Sequence, residues 1–282
     1  MNSSQILAYT TFAYLATSFL YLAGVTFRSP KALRAASWTA LAAVIINVAG
    51  ILLRWKESYD LGYGHAPLSN LYESLVFGAA CVMGIYLVME KKTGHRALGV
   101  VPSLLAFLAM AYASFSPDVS SRIQPLLPAL KSNWLIAHVI TCFLGYAAFA
   151  ISFAISLVYL WQRRRHEAGH ASGRLGFIPG VRELDEYNYQ VILFGFLWLS
   201  VGIITGSVWA NSAWGSYWSW DPKETWSLIT WLIYAAVLHA RVVRGWQGPR
   251  VAWLSMAGFC SVLFTYFGVN FLLSGLHSYA TK

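Results

Sequence analysis

The chain has 282 residues, of which 57% are hydrophobic and 11% are charged, and its mean hydropathy is +0.54. Because soluble globular domains carry about 25% charged residues, this composition excludes an ordinary soluble enzyme and indicates an integral membrane protein. The formal net charge of +9 is expected to face anionic membrane lipid, and it gives no argument for nucleic-acid binding.

Eight apolar segments are long enough to cross a hydrocarbon core of about 30 Å. Unpaired backbone groups cannot lie in lipid, so segments of this length are predicted to be helices. The sequence therefore predicts an all-α polytopic membrane protein that forms a single integral membrane domain over residues 1–282. The predicted spans are Gln5–Phe27, Ala36–Leu53, Leu71–Met89, Leu98–Phe115, Trp134–Trp161, Tyr189–Trp209, Thr225–Arg241 and Val251–Leu273.

The distribution of positive charge predicts the orientation of these helices. With the N-terminus outside, 14 of the 20 Lys and Arg residues fall on the inner side and 6 on the outer side. We therefore expect both termini on the outer side, together with the loops Arg54–Asn70 and Ser116–Asn133 and the loop that joins the sixth and seventh helices. A longer, flexible loop is expected on the inner side at Gln162–Glu186. The first residues, MNSSQ, lack the basic region of a cleavable signal, so the first helix is expected to be retained.

Small residues within the helices suggest close packing. Gly202 and Gly206 form a small-xxx-small pair in the sixth helix, with Gly195 one heptad earlier. Such a stripe favours close helix contact, although it is also compatible with space for a planar ligand. Three cysteines lie in apolar segments without a CxxC pair and are predicted to be small core residues: Cys81, Cys142 and Cys260.

Tryptophan is concentrated in residues 209–231, which contain six of the thirteen indoles of the chain. Asp221, Pro222 and Glu224 predict a helix start with a capping box, and Asn70 with Glu73 predicts another. Trp also favours membrane interfaces, which explains any single indole here. A cluster of this density instead predicts a flat apolar platform for a large planar ligand such as haem. The predicted platform residues are Trp214, Tyr217, Trp218, Trp220, Trp226 and Trp231.

Three histidines lie in or beside membrane helices, where ionisable groups are usually functional. His138 lies about 6 Å below the predicted outer surface and His277 returns to that level, so the pair is suited to axial ligation of haem iron. His239 lies about 22 Å below the outer surface and needs either a ligand partner from another polypeptide or a hydrogen bond to a neighbouring helix. The other four are predicted to be solvated loop residues: His65, His95, His166 and His170.

The stretch WGSYWSWDPKETWSLITW, residues 214–231, resembles the WWD signature of haem-handling proteins of cytochrome c biogenesis. The eight predicted helices, the segment PLSNLYESL at residues 67–75 and the order of the histidines make the chain similar to the CcsA/ResC family of system II in particular. That resemblance implies haem b at an external site, with His138 and His277 as iron ligands. It also implies a second, transmembrane haem held by His239 and a histidine of CcsB.

Further expectations follow from the resemblance. Trp214, Trp218, Trp220, Asp221 and Trp226 are expected near the external haem, although Asp221 is expected mainly to cap the seventh helix. Lys223 or an arginine of CcsB is expected to pair with the haem propionates. The chain is expected to position haem rather than to supply an acid or base.

The implied activity is that of a cytochrome c synthase component, a haem-thioether ligase that is active with CcsB (ResB). Its further partners are an apocytochrome c with a CxxCH segment and a separate thiol-reducing protein. The implied location is the bacterial inner membrane or the thylakoid membrane. Two alternatives stay open at this stage: a CcmC-like haem carrier that loads a chaperone without forming thioethers, and a haem-free membrane transporter or scaffold.

Overall fold

Eight long helices and no strand are present in residues 1–168 and 178–273, which are the residues that the computed structural model describes. The helices are α1 (Ser3–Thr26), α2 (Pro30–Asp60), α3 (Leu71–Thr93), α4 (Val100–Phe115), α5 (Asn133–Glu167), α6 (Val181–Trp214), α7 (Pro222–Arg244) and α8 (Pro249–Leu272). Short 3₁₀ turns precede α4 at Arg96–Gly99 and α5 at Pro128–Leu130. Each of these helices, α4 together with the 3₁₀ turn before it, is long and apolar enough to cross a membrane, which confirms the predicted polytopic all-α architecture.

Several helices are longer than their predicted spans. In α2 the Ser29 hydroxyl accepts a hydrogen bond from the amide of Ala32 at 3.2 Å, and Pro30 occupies the first helical position. The same helix continues to Asp60, so the prediction of a loop beginning at Arg54 was wrong. Hydropathy identifies the part of a helix that crosses hydrocarbon, whereas the polar turns beyond it remain helical. For this reason α6 also continues past Trp209 to Trp214.

Two large hydrophobic cores organise the bundle, and a small third cluster of Leu130, Leu135 and Trp209 lies at one end. One lies mainly among α1, α2, α3 and α4, extends to α5, and includes Tyr14, Tyr86 and Met110, all fully buried. The other lies among α5, α6, α7 and α8, where the rings of Phe149 and Tyr234 stack with centroids 3.5 Å apart. Contacts of α3 with α5 join the two halves. The chain is therefore two four-helix groups packed side by side.

The glycines of α6 allow it to lie directly against α5. A Cβ atom at Gly195 would lie 2.7 Å from the Phe149 ring, and one at Gly202 would lie 2.6 Å from the Cys142 sulfur. Neither position has room for a side chain, which confirms the prediction of close helix packing. Cys142 and Cys81 are buried as predicted.

Cys260 differs from that expectation because it is exposed on the surface of α8, so its predicted core position was wrong. An apolar surface position on a membrane helix has the same composition as a core position, and a single sequence does not separate them. The predicted flexible inner loop is also shorter than expected, because α5 extends to Glu167 and α6 begins at Val181. Residues 169–177 of that loop lie outside the described residues.

Alternate helices start at the same end of the bundle. The Ser3 amide and hydroxyl at the start of α1 donate to the Glu57 carboxylate near the end of α2. The Ser74 hydroxyl at the start of α3 lies 2.6 Å from the Tyr266 hydroxyl in the last part of α8. We call this end, where α1, α3, α5 and α7 begin, the cleft end.

Candidate functional site

A cleft opens at the cleft end, between the starts of α3, α5 and α7 and the ends of α6 and α8. Most of its walls are apolar or aromatic. Lys223 and Glu224, at the start of α7, are the charged residues among its described lining. The lining includes Leu68, Ser69, Asn70, Leu71, Leu130, His138, Phe143, Tyr146, Gly206, Trp209, Tyr217, Trp218, Tyr266 and Asn270.

The imidazole of His138 is held in a fixed orientation in this cleft. Its Nδ1 atom lies 2.8 Å from the carbonyl oxygen of Gly202 on α6. A Cβ atom at Gly206 would lie 2.5 Å from the same nitrogen, so that glycine provides the space which the ring occupies. The Trp209 ring lies nearly parallel to the imidazole, with centroids 5.9 Å apart and planes inclined by 21°. Three residues of α6 therefore determine where this histidine lies.

The contact with Gly202 also determines the tautomer of His138. A carbonyl oxygen only accepts hydrogen bonds, so Nδ1 must carry the proton and the lone pair lies on Nε2. Histidines that bind metal ions are commonly oriented in this way, with one ring nitrogen donating to a carbonyl while the other binds the metal. A neutral imidazole also avoids an uncompensated charge at membrane depth. His138 is therefore suited to bind iron.

Trp209 is the residue that the sequence analysis missed, because it was assigned only to the end of the sixth helix. Its side chain is 1% exposed, and its indole N–H donates to the Ala129 carbonyl at 2.9 Å. Trp214 packs edge-on against it at 4.9 Å. Trp209 lies one helical turn beyond Gly206, so the two share a face of α6, and that spacing was an available signal.

The remaining platform tryptophans are not gathered on one wall. Trp218 lines the cleft, and its ring is perpendicular to that of Trp220, with centroids 5.7 Å apart. Trp220 is 68% exposed, and Trp226 packs on Phe264 of α8 at 4.1 Å. Trp231 donates through its indole N–H to Ser200 at 2.8 Å, which ties α7 to α6. The structure thus brings Trp209 and Trp218 to the cleft, and Trp214 packs against Trp209.

Asp221 caps α7 as predicted. Its carboxylate accepts the amide of Lys223 at 3.0 Å, while Glu224 accepts the amide of Asp221 at 3.2 Å, so the capping box is complete. Glu224 also accepts the amide of Ser219 at 2.7 Å. These bonds flank Trp220, whose φ of 60° is uncommon for a residue with a side chain. The cap therefore holds the loop 215–221 in place even though the backbone of Trp220 is strained.

The end of α8 has a feature that no sequence pattern predicted. This helix is α-helical over Pro249–Leu263, π-helical over Phe264–Gly268 and α-helical again over Val269–Leu272. Single π turns often occur at functional sites. Here the irregular turn brings Tyr266 and the following Asn270 into the cleft lining.

The other histidines differ in their surroundings. His239 is exposed on the surface of α7, and no described residue forms a hydrogen bond with its imidazole, so the predicted alternative of a bond to a neighbouring helix is not found. His65 is buried, with Nε2 2.9 Å from the Gln124 carbonyl, so its predicted solvated role was wrong. His277 and His170 lie outside the described residues, and the pairing of His138 with His277 stays a prediction.

The fold and the cleft define a multi-pass helical membrane protein with an oriented histidine at one end and an indole stacked on it. Residues 68–277 match the family described as Cytochrome C assembly protein. The chain belongs to this family.

Two relatives with a shared name are similar to this chain over nearly its whole length. The chain is 38% identical to the cytochrome c biogenesis protein CcsA of Gloeobacter violaceus, covering 99% of this chain and 98% of the relative. It is 41% identical to the protein of the same name from Synechococcus elongatus, covering 95% of each. Among solved structures, the cytochrome c haem lyase CcmF has a TM-score of 0.70 at 18% identity over 94% of this chain. The chain spans 47% of CcmF, and that likeness shows the fold alone.

Proposed function

We propose that this protein binds haem b in the cleft and presents it for covalent attachment to apocytochrome c, as the haem-handling subunit of a CcsA–CcsB cytochrome c synthase. The proposal is supported by relatives named for cytochrome c biogenesis. The observation on which it chiefly depends is the orientation of His138, whose Nδ1–H donates to Gly202 and leaves the lone pair on Nε2.

In the external site, His138 and His277 are the two axial ligands of the iron. The donor chemistry of the cleft is appropriate for haem, because a neutral imidazole lies among flat aromatic walls formed by Trp209, Trp218 and Tyr146. Lys223, on the rim at the start of α7, is a cation for pairing with a propionate. Asp221 contributes indirectly, by capping α7, whose first turn carries Lys223 at the rim.

The haem is the substrate, and the chain contributes positioning. In the proposed reaction each cysteine thiol of CxxCH adds across a haem vinyl group: the sulfur forms a carbon–sulfur bond, and the thiol hydrogen ends on the other vinyl carbon. No net oxidation occurs, but the thiols must be reduced beforehand, so a separate thiol-reducing protein is required. Holding both reactants in one orientation in a water-poor cleft lowers the entropic part of the barrier.

His239 belongs to a second, transmembrane haem site in this proposal. The imidazole is exposed on α7, a helix with only 22% of its apolar window buried within the chain, compared with 67% for α5. A ligand from CcsB supplies the opposite axial position. Haem enters from the inner side, is held by His239, and then moves to the site of His138.

The cleft end faces the outer side of the membrane in this proposal. The excess of Lys and Arg in the opposite loops supports that orientation. The external segment 209–231 then lies where unfolded apocytochrome is delivered, in a periplasm or a thylakoid lumen.

Coexpression with CcsB and a cytochrome c reporter tests the proposal. Haem staining after denaturation should reveal covalent cytochrome, and the purified chain should show a Soret band. Bound haem without covalent product in the presence of CcsB and substrate would instead favour a carrier that loads a chaperone. If protein expressed with ample haem shows no Soret band, the result would favour the alternative of a haem-free transporter or scaffold.

A further inference from the structure

On the basis of the proposed function, we infer that Arg54 and Glu73 are a positioning pair that fixes two walls of the haem cleft. Neither residue lines the cleft. The first wall is residues 68–71, within the segment PLSNLYESL, and the second is Leu130 with the loop 116–132 that leads to it. No role for this segment follows from iron ligation or indole packing.

Glu73 holds the first wall. One carboxylate oxygen accepts the Arg54 Nε–H at 2.8 Å, and both side chains are at most 2% exposed. The other oxygen accepts the amide and the hydroxyl of Ser69, at 2.9 and 2.8 Å. Asn70 accepts the Glu73 amide at 2.9 Å and so caps α3, as predicted. The carboxylate does not complete the predicted capping box but binds Ser69, a residue of the cleft wall.

Arg54 reaches the second wall. Its Nη1 donates to the Ser121 carbonyl at 2.8 Å, and its guanidinium lies over the Tyr72 ring, 5.0 Å from the centroid. Ser121 belongs to the loop 116–132, which also supplies the carbonyl of Ala129 to the indole of Trp209. One planar cation therefore links the start of α3 to the loop that supports the tryptophan stacked on His138.

A direct link between the two loops reinforces this arrangement. The buried imidazole of His65 lies 2.9 Å from the Gln124 carbonyl, and the His65 amide donates to the Ser58 hydroxyl at 3.1 Å. The segment before the first wall is thus joined to the second wall independently of Arg54. The ion pair adds a second, directional link, which reaches the cleft wall through the bonds of Glu73 to Ser69.

Energetic considerations favour positioning over bulk stabilisation. A buried ion pair contributes little net stability relative to apolar residues of similar volume, because the desolvation of both charges offsets their attraction. Its hydrogen bonds are nevertheless short and directional, and a guanidinium fork fixes the geometry of its acceptors. In this chain those acceptors are Glu73 and the Ser121 carbonyl, which belong to two separate segments.

The opposite end of α3 provides a matched control. Glu90 is a second buried carboxylate on the same helix, and it accepts the hydroxyls of Tyr21 and Tyr86, each at 2.7 Å. It makes no contribution to the described lining of the cleft. Glu73→Gln and Glu90→Gln therefore remove the same charge from the same helix at opposite ends.

The experiment uses the full-length chain in nanodiscs, loaded with haem, and measures the rate at which haem is captured by excess apomyoglobin. Ser69→Ala keeps the ion pair but deletes one hydrogen bond to the carboxylate, and we expect about a tenfold faster haem loss, since hydrogen bonds to charged groups are among the stronger ones. Ser69→Thr keeps a hydroxyl and should restore the slower rate. Glu73→Gln should lose haem faster than Ser69→Ala does, whereas Glu90→Gln should lose haem at the wild-type rate.

Unfolding of the haem-free chain separates positioning from general destabilisation. Ser69→Ala should alter the haem-capture rate without lowering the unfolding midpoint below that of Glu90→Gln. Equal capture rates for Ser69→Ala and the wild type, or an equal acceleration by Glu90→Gln, would overturn the inference. If Glu73→Gln fails to fold, the comparison of Ser69→Ala with Ser69→Thr decides the result. A wild-type chain without a Soret band would contradict the proposed function itself and be recognised before any variant is compared.

Discussion

Two histidines of membrane helices, His138 and His239, have opposite surroundings. His138 lies against the Gly202 carbonyl, the space above Gly206 and the Trp209 ring, so both its tautomer and its plane are fixed. His239 is exposed on α7 and forms no hydrogen bond with any described residue. The same residue type at membrane depth can thus belong to a site formed within one chain or to a surface that needs a second chain.

The helices that carry these residues differ in the same way. The apolar window of α5 is 67% buried inside the bundle, whereas that of α7 is 22% buried. An imidazole on an enclosed helix is oriented by its own chain, and one on a peripheral helix is oriented by what binds there. Under the proposed function, the two sites should therefore respond differently to mutation and to the presence of CcsB.

The largest effect is expected from His138→Ala, which removes an axial ligand and leaves the aromatic walls in place. We expect haem affinity of the isolated chain to fall by at least about 100-fold, because even the loss of a group that only hydrogen-bonds a metal ligand costs about 10- to 100-fold in metal affinity. Titration of the chain with haem, followed by the Soret band, measures this. Covalent cytochrome formation in the coexpression assay should be lost as well.

A companion variant, His138→Gly, distinguishes ligation from folding. Free imidazole should restore the Soret band if the side chain acts as a ligand, since the cavity left by the ring retains the Gly202 carbonyl. Full haem affinity in His138→Ala without imidazole would remove the basis for the distinction between the two histidines.

The next effect is expected from His239→Ala and depends on the partner. In the isolated chain the variant should bind haem like the wild type, because the exposed imidazole has no described partner there. In the complex with CcsB, about half of the bound haem should be lost if each site holds one haem. Haem content per complex, measured by pyridine haemochrome absorbance, checks this. Haem loss in the isolated chain would show that His239 contributes to a site within a single chain.

Much of the fold was predictable from the sequence because the relevant signals are local. Apolar length predicted all eight spans, and the residue types at Asp221 and Asn70 predicted both caps. The glycine stripe of α6 predicted close packing but not its functional consequence, since nothing in the spacing states that Gly206 faces His138. That pairing depends on the register between α5 and α6, which is a tertiary property.

Other parts of the site were not predictable for related reasons. Trp209 was assigned to a helix end because hydropathy does not distinguish a lipid-facing indole from one packed on an imidazole. Arg54 was assigned to a loop because a charged residue next to an apolar segment usually marks its end, whereas here Glu73 compensates the charge inside the protein. The π turn at Phe264–Gly268 was not predictable, because its residues have the same apolar and aromatic composition as an ordinary membrane helix.

A smaller effect is expected from Gly206→Ala, which tests whether α6 orients His138. The added Cβ would lie 2.5 Å from Nδ1, so the ring must move and its bond to Gly202 must lengthen. Gly195→Ala is the matched control, because its Cβ would lie 2.7 Å from Phe149 in the same helix interface. Each substitution should cost about 1–3 kcal/mol in the free energy of unfolding. Only Gly206→Ala should also weaken haem binding, by about tenfold, in the Soret titration. An equal loss of affinity in both variants would mean that general packing, and not the orientation of His138, controls the site.

The smallest effect is expected from Asp221→Ala, which removes the cap of α7 at the rim of the cleft. Loss of an N-cap side chain costs about 1 kcal/mol, and the same cost is expected for Ser29→Ala at the start of α2, at the end of the bundle opposite the cleft. The two unfolding midpoints in detergent should therefore fall by similar amounts. Asp221→Ala should in addition release Trp220 from its φ of 60°, because the strained conformation persists only while neighbouring bonds hold it. Trp fluorescence of the loop would report that release, and a change of equal size in Ser29→Ala would show that the signal comes from the bundle as a whole. An unchanged haem affinity in Asp221→Ala would then limit the role of this residue to the cap of α7.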